Sequence, residues 1–162
     1  MRHEALMREM IRYEAGVPHR IQHFLKVYEF ARLIAAGENL DDVTRDVLEA
    51  AAIVHDIGIK PAMEKYGSGA GPLQEKEGEP AARTLLTRLG YAPDLTERVA
   101  YLVAHHHTYD AIDGMDYQIL VEADFLVNLH ESADRYRAIL AEERIFRTES
   151  GKRLLRALFG IE

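Results

Sequence analysis

The sequence predicts an all-α protein, a single-domain bundle of about six to eight helices. Apolar residues recur at helical spacing along most of the chain, strand-like alternation appears nowhere convincingly, and glycines and prolines separate the periodic segments. The chain has 162 residues, enough for one compact domain with a hydrophobic core and too few for two ordinary ones. We therefore treat residues 1–162 as one domain.

Start and stop signals divide this domain into helices. Pro18 suits a helical first turn, Gly37 closes that helix, and Asp41 or Asp42 is a candidate N-cap for the next one, which Gly58 ends. The expected helices cover about 4–13, 19–36, 42–56, 78–89, 94–106, 117–131 and 133–159, with one turn at 63–66 and loops at 67–72 and 107–114. We interpret the apolar face of residues 144–159 as core, with a homodimer contact as the alternative.

Composition excludes several classes of protein. The net charge, 20 Lys+Arg against 27 Asp+Glu, is −7, which disfavours a nucleic-acid polymer as partner because phosphate binding needs a basic surface. No apolar run approaches the roughly 20 residues that span a bilayer and no secretory signal is recognisable, so we expect a cytoplasmic protein without a membrane partner. Without cysteine, any metal must be held by His, Asp or Glu.

Potential metal ligands occur at four places where a helix should be packing. His19 and His23 are four residues apart and share a helix face. The pair His55–Asp56 ends an apolar helix, three consecutive histidines at 105–107 follow another, and Asp124 interrupts the apolar run QILVEADFLV. An ionised carboxylate at that last position is costly unless it is paired or binds a metal.

Each of these groups has an ordinary structural interpretation when it is taken alone. His3 is typical of a surface histidine and His130 of a surface or core-edge one. The triple histidine is compatible with a polar helix end, and Asp124 with a buried cap or ion pair. The order His23, His55–Asp56, Asp124 weakens these interpretations, since imidazole and carboxylate together suit Mn, Fe, Co, Ni or Zn.

That order, H…HD…D, resembles the HD-domain superfamily of metal-dependent phosphohydrolases. HDIGIK at 55–60 is the closest match, RIQHFLKVYEFA resembles the family's first helix, and the resemblance covers about residues 20–131. It implies an HD-type helical bundle in which His23, His55, Asp56 and Asp124 bind one divalent metal.

Some members of the superfamily hold a second metal through a histidine before a helix and a later histidine or histidine pair. Glu79 in EGEPAARTLL stands where the first would be, so the resemblance makes it a candidate oxygen ligand, with a charged helix N-terminus as the alternative. For the later histidine of this second metal, His106 is the first candidate because it shares a helix face with Val99 and Val103. His107 and then His105 are its candidate partners.

The resemblance implies a metal-dependent phosphohydrolase that acts on a nucleotide or another small phosphate ester. Asp56 would orient or deprotonate the attacking water, Lys60 or Arg20 would offset charge on the phosphate, and Tyr109 would stack on a base or ring. Each of these two side chains also has an ordinary structural interpretation: Lys60 as a solvated lysine and Tyr109 as a packed ring. Two further hypotheses stay open: a di-iron oxygenase on the same ligands, and a non-catalytic module that binds a nucleotide or a partner protein.

Overall fold

The computed structural model describes residues 3–132 and 134–162, and these residues form helices joined by short turns. In chain order the helices are α1 (Glu4–Tyr13), α2 (Pro18–Gly37), α3 (Asp42–Val54), α4 (Ile59–Tyr66), α5 (Gly71–Arg88), α6 (Pro93–His105), α7 (Met115–Ser132), α8 (Arg135–Arg144) and α9 (Glu149–Phe159). The all-α prediction is confirmed. No described helix is long and apolar enough to cross a membrane.

Capping residues explain several of these boundaries. Asp41, rather than Asp42, caps α3, since its Oδ1 accepts from the backbone N–H of Val43 at 3.0 Å and of Thr44 at 2.9 Å. Prolines lie in the first two positions of α2, α5 and α6, where the missing N–H breaks no helical hydrogen bond.

The region around the HDIG turn, residues 55–58, differs from the prediction. Helix α3 ends at Val54, and α4 begins at Ile59 instead of forming one turn at 63–66. Pro61 is the third residue of α4, within the first turn, where proline is tolerated. Helix α5 begins at Gly71, seven residues before the predicted start, because Pro72 suits a helix start and does not extend the loop.

The C-terminal stretch predicted at 133–159 divides into α8 and α9, with Ala133 outside the described residues. Phe146 and Leu155 are buried in the core, whereas Leu158 is exposed. Most of this apolar face therefore packs within the chain.

Two glycines let α5 lie directly on the HDIG turn. A Cβ at Gly58 would be 2.0 Å from the carbonyl oxygen of Gln74 and 2.6 Å from the nitrogen of Gly78, and one at Gly78 would be 2.7 Å from Cγ1 of Val103. Gly58 has φ −74, so its role is this close approach and not a left-handed backbone. The contact brings side chains of α5 beside the residues that follow α3.

The centre of the bundle is formed by α2, α3, α6 and α7: α3 packs against the other three, and α2 also packs against α7. Their inward faces are apolar and almost fully buried, as at Val27, Ile53, Leu102 and Leu120. The buried polar residues of these helices therefore stand out against an apolar background.

One buried carboxylate of α7 has a structural role. Glu122 is 0% exposed and accepts hydrogen bonds from the backbone N–H of Arg147 at 2.7 Å and of Thr148 at 3.0 Å, and from the Thr148 hydroxyl at 2.5 Å. The amide of Gln118 donates to it at 2.7 Å. Glu122 thereby fixes the start of α9 against α7.

Candidate metal centre

Three helices and one turn position the predicted metal ligands. His23 lies on α2, His55 follows the last residue of α3, Asp56 is in the HDIG turn, and Asp124 lies on α7. His23, His55 and Asp124 are buried, with 7%, 0% and 2% exposure, while Asp56 is half-buried. The fold thus brings together four polar residues separated by up to about a hundred positions in the sequence.

The ligand atoms of these residues converge on one point. Nε2 of His23 lies 3.0 Å from Oδ1 of Asp124, 3.2 Å from Nε2 of His55 and 3.4 Å from Oδ2 of Asp56. Nε2 of His55 lies 3.4 Å from Oδ2 of Asp56 and 3.5 Å from Oδ1 of Asp124.

The opposite ring nitrogens fix how the imidazoles are aimed. Nδ1 of His55 lies 2.9 Å from the carbonyl oxygen of Ala52, and Nδ1 of His23 lies 3.1 Å from Oε1 of Glu131. Because these oxygens only accept, each Nδ1 carries a proton, a tautomer assigned from the hydrogen-bond network. In the neutral rings both Nε2 lone pairs face the cluster, the arrangement common in metal-binding histidines.

Charge in the cluster is strongly coupled. Burial disfavours the imidazolium form of His23, but the hydrogen bond to Asp124 and the charge of Asp56 outweigh it and raise the pKa of His23. Burial likewise opposes charging of His55, yet Asp56 and Asp124 raise its pKa well above the usual value.

The two carboxylates show the opposite shift. Burial opposes their ionisation, but His55 and His106 hold the pKa of Asp56 well below its usual range, and His23 and His55 do the same for the pKa of Asp124. The cluster therefore favours two carboxylates together with positive charge, which either protons or a metal ion can supply.

A second set of histidines approaches Asp56 from α6. Nε2 of His106 lies 3.4 Å from Oδ1 of Asp56, whereas His23 and His55 face Oδ2, and the rings of His106 and His55 meet edge to face. His106 is 0% exposed, its Nδ1 is bonded to the Val103 carbonyl at 2.8 Å, and its Nε2 has no hydrogen-bond partner among the described residues. A buried nitrogen that has no hydrogen-bond partner and lies beside a carboxylate suits a metal ligand.

The residues present fit a divalent metal. Two ligands bound about 2.1 Å from one ion at right angles are about 3.0 Å apart, close to the separations in the cluster. Two groups within the described residues have the required spacing: His23, His55 and Asp56, and Asp56, His106 and His107. They share Asp56, whose two oxygens face the two groups separately.

The cluster opens onto a cavity of about 310 Å³. Its lining is polar and consists of His19, Arg20, His23, Asp56, Ile59, Gln74, His107, Asp124, Asn128 and Glu131. A larger cavity of about 640 Å³ lies between α1, α4 and α5. Its described lining is mostly apolar and contains no histidine, so we place the chemistry in the smaller cavity.

Several predicted site residues lie elsewhere. Glu79 and Lys60 are absent from the described lining of the smaller cavity. Oε1 of Glu79 accepts from Arg83 at 3.0 Å, and Nζ of Lys60 donates to the Tyr13 carbonyl at 3.1 Å. The structure does not bring Glu79 to the cluster: five residues after Gln74, it points about 140° away around the helix axis.

The other predicted contacts lie at or near the cavity. Arg20 lines it while pairing with Glu14 at 3.1 Å. Tyr109 packs edge-on against Phe125, and its hydroxyl lies 3.5 Å from Nδ1 of His107. Nδ1 of His105 lies 2.7 Å from the Tyr101 carbonyl and its ring stacks on Tyr101, so His106 and His107, rather than His105, face the cluster.

Sequence reasoning missed three polar residues of the cavity wall, Gln74 on α5 and Asn128 and Glu131 on α7, and also Glu75, which holds the backbone of His107. Nδ2 of Asn128 donates to Oδ1 of Asp124 at 3.0 Å, one turn away on the same helix. Oε1 of Glu75 accepts from the backbone N–H of His107 at 2.9 Å. Asn128 and Glu131 could have been predicted from their helical spacing from Asp124. Gln74 and Glu75 could be placed only once the start of α5 was known.

Comparisons with known proteins agree with this geometry. The HD domain family model matches residues 20–147. Among solved structures, a predicted HD superfamily hydrolase from an uncultured Thermotogales bacterium is similar, with a TM-score of 0.72 and 23% identity over 98% of this chain and 86% of that chain; at this identity the likeness shows the fold. A comparison with curated proteins gave no match. Since the family model spans most of the sequence and includes all four residues of the H…HD…D pattern, the chain belongs to the HD domain family.

Proposed function

We propose that this HD domain protein is a metal-dependent phosphohydrolase that acts on a nucleotide or another small phosphate ester. The observation that supports the proposal is the convergence of His23, His55, Asp56 and Asp124 at the wall of a polar cavity, where the two histidine Nε2 atoms lie 3.0 to 3.5 Å from each other and from oxygens of both carboxylates. A buried cluster of this composition is costly unless positive charge completes it.

His23, His55, Asp56 and Asp124 would hold the metal. A bound divalent ion would acidify a water and draw charge from a phosphoryl oxygen. The remaining catalytic tasks fall to groups of the chain. Asp56 has the most exposed side chain of the four, at 22%, so its carboxylate is the one placed to orient a water in the cavity and to accept its proton.

The cavity favours a small anionic substrate. Its volume of about 310 Å³ is at the lower end for ligand pockets, and the net charge of −7 does not favour a polymer of phosphates. Arg20 brings a guanidinium to the wall, where it would offset charge on the phosphate. Lys60, held by the Tyr13 carbonyl, would have to leave that partner to do the same.

The test is phosphate release from nucleoside mono-, di- and triphosphates and from p-nitrophenyl phosphate, with Mn, Fe, Co, Ni or Zn added to metal-free protein. We expect turnover with several of these ions and without oxygen, and its loss in Asp56→Asn. Arg153→Met, an exposed position on α9 outside the cavity, is the matched control and should retain turnover within about threefold, since surface substitutions away from a site have small effects.

Two other results would each contradict the proposal in favour of an open alternative. Turnover that requires iron and consumes oxygen would indicate a di-iron oxygenase. Absence of turnover, together with unfolding of Asp56→Ala and tight retention of metal by the wild type, would indicate a closed structural site in a binding module.

A further inference from the structure

Gln74 is a buried amide in the cavity wall that the catalytic proposal leaves unused. It lies on the first turn of α5 and is 9% exposed. Its Nε2 donates to the Gly69 carbonyl at 2.9 Å, which leaves Oε1 pointing at Nε2 of His107, 3.1 Å away. Because the Gly69 oxygen can only accept, this bond assigns the amide orientation.

Helix α5 therefore holds His107 at two points. Gln74 faces its ring, and Glu75 accepts from its backbone N–H at 2.9 Å. The ring of His107 in turn lies 3.9 Å, centroid to centroid, from the ring of His106. His106, His107 and Gln74 are thus connected to one another, and Asp56 joins them to His23 and His55 because its Oδ1 faces His106 and its Oδ2 faces the other two histidines.

We propose that Oε1 of Gln74 completes a second metal position with Oδ1 of Asp56, Nε2 of His106 and the ring of His107. Its separation of 3.1 Å from Nε2 of His107 suits two ligands of one ion as well as it suits a hydrogen bond. In that role Nε2 of His107 would offer its lone pair, and Nδ1, which lies 3.5 Å from the Tyr109 hydroxyl, would carry the ring proton.

The composition of this position makes it the weaker of the two. The position of His23 and His55 has two carboxylates, Asp56 and Asp124, whereas the second shares Asp56 and otherwise has neutral ligands. An amide oxygen is a hard donor that adds no charge. We infer that Gln74 keeps the second ion exchangeable and that the identity of residue 74 sets its affinity. This inference rests on the proposed metal-dependent function and specifies its metal stoichiometry.

The experiment is a titration of metal-free protein with Mn²⁺ in the absence of substrate. Calorimetry measures the binding, and electron paramagnetic resonance detects coupling between the bound ions. The wild type should bind two equivalents, the second about tenfold or more weakly, with spin coupling between the ions. Gln74→Glu should tighten the second equivalent about tenfold or more, which corresponds to about 1.4 kcal/mol, and Gln74→Leu should lose it while keeping the first. Glu79→Gln, altered on the outer face of α5, should behave as the wild type.

An unchanged second equivalent in both Gln74 variants would overturn this inference, as would a single equivalent in the wild type that Gln74→Glu does not increase. If Gln74→Leu fails to fold, Gln74→Glu decides alone. Absence of all Mn²⁺ binding in the wild type would instead overturn the proposed function, since it would remove the position of His23 and His55 as well.

Discussion

Glu122 and Asp124 are two buried carboxylates on α7, only two residues apart, and their surroundings are opposite. Glu122 accepts from two backbone N–H groups, a hydroxyl and an amide. Asp124 faces two histidine rings and Asn128, at the edge of a cavity.

The difference shows how a buried acid can be assigned a role. Donors surround Glu122 and offset the cost of burying its charge, so it needs nothing more. Asp124 has one amide donor, and its histidine neighbours must take up a proton or bind an ion before they attract it. A buried carboxylate next to imidazole nitrogens is therefore a metal-site candidate, and one next to N–H groups is a structural cap.

The largest effect that follows is on catalysis. Replacing Asp124 by Asn keeps the shape but removes one of the two charges of the metal position. We expect phosphate release to fall by more than about 100-fold, because even residues that only orient ligands cost about 10- to 100-fold. Unfolding by urea should stay cooperative. Turnover within a few-fold of the wild type would contradict the assignment of Asp124.

The matched change at Glu122 should act on stability instead. Glu122→Ala leaves the Arg147 and Thr148 backbone N–H groups and the Thr148 hydroxyl without their acceptor. We expect a loss of about 3 kcal/mol in the free energy of unfolding, measured in urea. Activity per folded molecule should be retained. A lost activity at unchanged stability would show that Glu122 belongs to the site.

The pH dependence distinguishes protons from metal in the Asp124 cluster. Because the folded pKa values of His23 and His55 are raised, their contribution to stability in the metal-free protein is present below the unfolded pKa of about 6.5 and is lost as the pH rises through the folded values. Burial and the neighbouring His106 lower the pKa of His107 to about 4. Protonation of His107 therefore lowers the free energy of unfolding as the pH falls from about 6.5 through about 4.

Metal must displace the protons of His23 and His55, so its affinity should rise with pH. We expect about tenfold or tighter Mn²⁺ binding at about pH 8 than at about pH 6, together with a larger rise in Tm on metal addition. Calorimetry at the two pH values measures the Mn²⁺ affinity. A pH-independent affinity would contradict the proton–metal exchange in this cluster.

A smaller effect is expected at the amide that orients Asp124. Asn128→Leu removes the donor 3.0 Å from Oδ1 and leaves the ligand set intact. Metal affinity should fall about tenfold, as for other residues that hold a ligand in place. Equilibrium dialysis against Mn²⁺ gives the value, and Glu131→Gln, beside His23, is a second variant of the same kind.

The smallest effect is expected on stability, at the Thr148 hydroxyl that is bonded to Glu122. The Thr148 hydroxyl donates to Glu122 and also accepts from the Gly151 N–H at 2.9 Å as the N-cap of α9. Thr148→Val should cost about 1 kcal/mol of unfolding free energy, as for other lost caps, without a change in metal affinity. A change in metal affinity instead would connect the two regions of α7.

Much of this comparison was accessible from the sequence. The order of His23, His55–Asp56 and Asp124 resembles the HD pattern, and this resemblance implied their convergence. Each of these groups also lies in or beside an apolar helical segment, where a polar group needs a partner. Glu122 was not singled out, although it lies in the same apolar run. Its partners come from residues 147 and 148, far along the chain, and no local pattern indicates them.

The part of the site that α5 contributes was harder to predict. Glu79 was chosen because it stands where some family members have a histidine before a helix, but which side chains of α5 face the cluster depends on where the helix begins. The start at Gly71 and the close contact of Gly58 with Gly78 turn Gln74 inward and Glu79 outward. Proline at the second helix position was the signal for that start, and reading the glycine-rich stretch as a loop obscured it.

The most direct test of the metal centre is metal content per chain by elemental mass spectrometry, on protein purified without an affinity tag or chelator. The wild type, Glu122→Gln and Asp124→Asn should be compared after identical reconstitution. We predict equal metal in the wild type and Glu122→Gln, and a loss of at least one equivalent in Asp124→Asn. Equal content in all three, or no metal in the wild type, would contradict the account.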